Sequence, residues 1–157
     1  MCRSLFLPLI GLFLSACTGN TFYHHYQSLP AEGWDRRDTV CFEVPESDGD
    51  INGLLFIGLR TVAHVCKQNV VLAVEQCDGD GAVCSCDTVR YPLTDTDGNA
   101  LGRGVNARQY ETQHLPFRLR KGKSARVRIR HLMTHEVVTG ITEVGVRIGT
   151  AGSSDCQ

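Results

Sequence analysis

Alternation with a period of two governs this chain, and it is clearest where two alternating runs flank a turn. Asn69 to Cys77 and Cys84 to Leu93 lie on either side of Asp78-Gly79-Asp80-Gly81-Ala82-Val83, a run rich in turn formers. Opposing Cys77 with Cys84 also opposes Leu72 with Val89 and Val70 with Tyr91. That register collects apolar side chains on one face and puts Ala73/Thr88 and Glu75/Cys86 on the other. A slip of one residue scrambles both faces. The pattern therefore predicts Cys77 and Cys84 within disulfide reach, with Cys86 as the diagonal competitor.

The same period recurs along the chain. Val40, Phe42 and Val44 alternate with Thr39, Cys41 and Glu43, which reads as a half-buried strand ended by Pro45 and a polar loop. Leu54 to Arg60 is a nearly continuous apolar run, suited to a central strand covered on both faces. Leu115-Pro116-Phe117 suits an edge segment or connector. Ala125 to Arg130 sets Val127 and Ile129 against three arginines, and Val144, Val146 and Ile148 share one face of a last strand. At least six such segments with no convincing amphipathic helix predict an all-β chain: an antiparallel β-sandwich, Ig-like or jelly-roll-like, with a barrel of the same strands as the alternative.

Ahead of these strands stands a different kind of segment. Arg3 precedes the apolar run Leu5 to Phe13, which closes on Leu14-Ser15-Ala16-Cys17. A basic start, a short apolar middle and small residues before a cut mark a secretory signal. The run is too short for a membrane span, which needs ~20 apolar residues. Cysteine directly after the small pair makes it a bacterial lipobox. Its thiol accepts diacylglycerol as a thioether, the chain is cut before it, and the freed amine is commonly acylated, as by palmitate. The alternative is an ordinary cleaved signal with Cys17 free for a disulfide. The expected organisation is a signal peptide over 1–16, a lipidated tether over 17–33, a β-sandwich over 34–150 and a flexible tail over 151–157. Such a protein is lipid-anchored in the cell envelope and faces the periplasm. Trp34, the only tryptophan, stands where tether meets domain and is expected to plug one end of the core.

Loss of Arg3 leaves 15 basic against 17 acidic residues, a formal charge of −2. That balance argues against a nucleic-acid partner. Of eight cysteines, Cys2 leaves with the signal and Cys17 carries lipid. Cys41, Cys66, Cys77, Cys84, Cys86 and Cys156 remain, an even set that favours disulfides in an exported protein. A metal reading through Cys77, Cys84 and Cys86 lacks paired Cys-x-x-Cys knuckles.

Two segments are candidate partner contacts. Asp95 and Asp97 open Asp-x-Asp-Gly, which can begin a calcium loop. The closing Glu of an EF-hand falls at the twelfth position, and here that position is Asn106, so a turn is the preferred reading. Arg126, Arg128 and Arg130 form a basic strip able to hold headgroups or an acidic partner. The plainer reading is a solvated face that keeps an edge strand from aggregating. There is no Gly-x-Ser-x-Gly, no His-Glu-x-x-His and no phosphate loop, so no cofactor, metal or catalytic residue is expected.

With these residues laid out, the chain resembles the GldH family of gliding-motility lipoproteins. The matching pieces are Cys17 in its lipobox, Tyr23-His24-His25-Tyr26-Gln27-Ser28-Leu29-Pro30 and Gly33-Trp34-Asp35. Asp38 to Phe42, Leu55 to Arg60, and Asp97-Gly98 with Leu101 to Gly104 follow. Val127 to Met133 and Gly140 to Ile148 close the set. Each piece is unspecific; their order is what resembles the family. The resemblance implies a lipid-anchored, non-catalytic component of the gliding machinery, associated with type IX secretion and working with other envelope proteins. Cys66, Cys77, Cys84, Cys86 and Cys156 are outside that pattern. The alternative function is a lipid-anchored glycan- or calcium-binding module using the Asp95/Asp97 loop or Trp34.

Overall fold

The computed structural model describes residues 21–63, 68–111 and 114–150. Eleven strands follow in chain order: β1 (Thr21–Ser28), β2 (Trp34–Asp35), β3 (Val40–Val44), β4 (Ile51–Val62), β5 (Asn69–Asp78), β6 (Val83–Pro92), β7 (Ala107–Glu111), β8 (Leu115–Leu119), β9 (Ala125–His131), β10 (Val137–Val138) and β11 (Ile141–Thr150). One sheet runs β1-β11-β4-β7, with β8 beside the first half of β4. The other runs β3-β9-β5-β6, and β2 and β10 pair alone at one end. Every pairing is antiparallel, and the two sheets form an open sandwich rather than a closed barrel.

Alternation decides what is buried. Leu55, Ile57 and Leu59 on β4 stand opposite Ile148, Val146 and Val144 on β11, and all six are fully buried. Phe42 and Val44 on β3, Val127 and Ile129 on β9, and Leu72 and Val74 on β5 complete the core. Each such side chain contributes about 1.5–3 kcal/mol through burial, so the alternation specifies sheet register as well as fold class.

Trp34 plugs the end of this core as expected. It is fully buried, and its indole N–H donates to the Asp38 carbonyl at 3.0 Å. Its ring meets His131 edge to face at 5.4 Å between centroids. The Trp34 carbonyl lies 3.0 Å from His131 Nε2, and His131 Nδ1 accepts from the Met133 N–H at 3.4 Å. The tautomer with its proton on Nε2 satisfies both contacts.

Three expectations are corrected. The folded domain already includes β1 from Thr21, ahead of the expected start at Trp34, because β1 lies within the segment assigned to the tether and pairs with β11 along its length. β9 is an internal strand between β3 and β5, so its arginines guard no sheet edge. In the β5–β6 hairpin the expected register holds from Val70/Tyr91 to Glu75/Cys86, then shifts between Gln76 and Cys77. Cys77 faces Val83 instead of Cys84, because a bulge places an extra residue in β6 near the turn.

Candidate functional site

The outward face of the larger sheet is built around Tyr26. Its Cα partner on β11 is Gly145, whose partner on β4 is Gly58. With no side chain at either glycine, the ring lies flat across three strands. A Cβ on Gly145 would come within 2.5 Å of the ring, and one on Gly58 within 2.1 Å of the hydroxyl. The Arg60 guanidinium stands 4.1 Å from the ring centroid and is paired with Glu143 at 2.5 Å. Arg147 covers Phe56 at 3.9 Å and pairs with Glu111 at 2.8 Å. Burial raises the Tyr26 hydroxyl above its ordinary pKa, while Arg60 opposes that shift. This face unites three of the segments that carry the resemblance: Tyr23–Pro30, Leu55–Arg60 and Gly140–Ile148. Sequence reasoning missed it, although a lone glycine within each of two strand patterns is a recognised sign of close approach by another group.

The basic strip and the thiols share the outward face of the smaller sheet. Cys41 and Glu43 on β3 stand opposite Arg128 and Arg126 on β9, which in turn oppose Glu75 and Cys77 on β5. Arg126 pairs with Glu43 at 2.6 Å and Arg128 with Glu75 at 3.3 Å. Arg130 has no carboxylate partner among the described residues. The strip is thus a chequered charge surface with one unpaired cation, since carboxylates on both neighbouring strands answer the other two. Cys41, Cys84 and Cys86 are exposed and Cys77 is buried, and these four described cysteines are free thiols. Cys17, Cys66 and Cys156 lie outside the described residues.

The Asp95 carboxylate is occupied by its own loop. It accepts from the Asp97 and Asn99 N–H groups at 2.9 and 2.8 Å and from the Asn99 side chain at 3.0 Å. These bonds, the Asn99 side chain first, hold its pKa below the ordinary carboxylate value. Asp95 is therefore the cap of a turn closed by the Thr94/Ala100 bridge. Among the described residues, no three His, Cys, Asp or Glu side chains converge to hold a metal.

A cleft of about 1020 Å³ lies between the sheets on the side where β6 and β7 end them. Val89, Tyr91, Tyr110 and Leu115 line its floor, and Arg90 and Arg103 stand on its rim. The Tyr91 hydroxyl donates to the Ile57 carbonyl across the sandwich, and the Tyr110 hydroxyl donates to the Leu93 carbonyl at 3.2 Å. The cleft therefore offers ring faces and methyl groups below, and guanidinium groups above.

Fold and surfaces together describe an antiparallel sandwich with exposed patches of paired charge and aromatic rings. Comparison with known proteins then settles the family. The profile of the GldH lipoprotein family matches residues 21–148, and the chain belongs to that family. A lipoprotein family places it at a membrane of the cell envelope. No curated protein matches the chain. Among solved structures, a CocE/NonD family hydrolase from Staphylococcus aureus is similar at 10% identity with a TM-score of 0.43. That match covers 85% of this chain and 34% of the hydrolase, so the chain spans about a third of its length. Dimeric latent PorU from Porphyromonas gingivalis is similar at 10% identity and a TM-score of 0.35, covering 87% of this chain and 14% of that one. Eiger TNF from S. frugiperda gives 11% identity and 0.32, covering 71% and 67%. None of these likenesses is close enough to guide a functional reading.

Proposed function

We propose that the protein is a lipid-anchored, non-catalytic component of the gliding-motility machinery, associated with type IX secretion, that works by holding another envelope protein. The observation that carries this is the family match beginning at Thr21, with only Thr18, Gly19 and Asn20 between it and Cys17 of Leu14-Ser15-Ala16-Cys17. A spacer that short reaches ~14 Å, so a lipid on Cys17 holds the start of β1 against the bilayer surface. Each buried methylene of the diacylglycerol and of the amide-linked palmitate adds ~0.8 kcal/mol, and several chains hold where one is marginal. The domain then faces the periplasm at fixed height. Arg126, Arg128 and Arg130, together with the turn of Asp95 and Asp97, are the partner contacts this reading assigns. Arg130 has the largest part, because its charge is not answered within the sheet.

Crosslinking in native cells, followed by identification of the adducts, tests the reading. An envelope partner is expected, and Cys17→Ala should move the protein into the salt-washed soluble fraction. In a gliding host, deletion of the gene should disturb gliding or secretion. Recovery of no protein adduct, with the wild-type protein lipidated and folded, would overturn the scaffold reading.

A further inference from the structure

The sandwich is closed along one side and open along the other. On the closed side Gln27 of β1 donates to the Cys41 carbonyl of β3 and joins the sheets. On the open side β6 ends one sheet while β7 and β8 end the other, and the cleft lies between them. Among the described residues β6 pairs with β5 alone, so one edge of its backbone offers N–H and C=O groups to the cleft. The bulge near Val83 and the proline at Pro92 bound that edge. Val89 and Leu115 are only partly buried there, packed against the core. Thr88 and Arg90 point to the outward face, Arg103 stands across the cleft in the loop bridged to Gln109 of β7, and the described residues include no carboxylate paired with either arginine. The one acid in the cleft, Glu111, is paired with Arg147.

We infer that this cleft takes an extended segment of an acidic partner protein as an added strand on β6. The segment alternates apolar and acidic residues: its apolar side chains lie beside Val89 and Tyr91, and its carboxylates lie beside Arg90 and Arg103. Backbone hydrogen bonds along the edge supply adhesion, and the alternation supplies register. The two guanidinium groups select acidic over basic strands and speed encounter. The inference rests on the reading that the protein works through an envelope partner, and it adds to the contacts on β9 and the Asp95 turn a further one at the open edge of β6.

The test uses the full-length lipidated protein in detergent and a fluorescent octapeptide alternating valine and aspartate. Anisotropy is expected to show saturable binding that weakens as salt rises. Replacing aspartate by lysine in the peptide, or making Arg90→Glu/Arg103→Glu in the protein, should each weaken it ~10-fold or more. A peptide with alternate amides N-methylated, its side chains unchanged, should not bind, since it cannot add to an edge. Equal binding of the N-methylated peptide, or of the native peptide to the folded double variant, overturns the inference. So does a concentration-dependent dimer that excludes the peptide, because β6 would then be covered by a second copy. Such a failure leaves the partner reading intact, which stands or falls on the native crosslinking.

Discussion

Replacing Gly145 by alanine should destabilise the protein, although the same change in an open strand ordinarily helps. Gly145 does not have a left-handed backbone, so alanine meets no conformational strain there. Relief of glycine's chain entropy would by itself give ~0.5–1 kcal/mol of stability. Against this, the new Cβ would lie within 2.5–2.6 Å of three Tyr26 ring atoms, and the ring must leave its trough. Leaving ends the contact with Arg60 at 4.1 Å, a loss of ~0.5–1 kcal/mol. It also exposes roughly 100 Å² of a half-buried tyrosine, on the order of 2.5 kcal/mol at ~25 cal/mol per Å². The expected net cost is ~2–3 kcal/mol, read from urea midpoints at unchanged slope. In a Tyr26→Ala background the clash is gone, and Gly145→Ala should become neutral or stabilising. A cost that persists unchanged in that background would refute the trough as its cause.

Two further outcomes follow from buried groups. Burial, first among its causes, holds the His131 pKa below its ordinary value, so the unfolded chain binds a proton that the folded chain resists. Stability should be full above ~pH 6.5 and fall as pH drops below it, and His131→Gln should flatten that slope; a wild-type profile level between ~pH 5 and 7 would contradict it. In the reduced protein, Cys41, Cys84 and Cys86 should alkylate in the native state and Cys77 only on unfolding, as read by peptide mass mapping. Fast native labelling of Cys77 would contradict its 2% exposure.

Much of this fold was legible because burial enforces period two. The β5–β6 register could be read from Leu72/Val89 and Val70/Tyr91, since a slip would have turned those side chains to water. The bulge beside Cys77 left no such mark, because an extra residue near a turn disturbs no buried pair. From sequence alone β1 reads as a tether, because Tyr23-His24-His25-Tyr26 shows no apolar alternation. Its strand state comes from β11 on one flank and from Gly58 and Gly145 beneath Tyr26, partners more than a hundred residues away for β11. The arginine strip reads from sequence as the guarded face of an edge strand, because an edge strand and an interior strand alike present one face to water. Glu43 and Glu75 on the adjoining strands decide the matter, and those pairings are long-range.

The placement of β1 also has a mechanical consequence. A pull on Thr21 along the axis of β1 runs across its hydrogen bonds to β11. The seven residue pairings from Thr21/Gly149 to Ser28/Glu143 then share the load together and do not open one at a time. Tyr26, lying over Gly145 and Gly58, acts as a crosswise key that resists the same sliding. A tug sideways meets no such arrangement and peels the strand from its end. The domain is therefore stiffest at β1 against a pull along that strand's own axis.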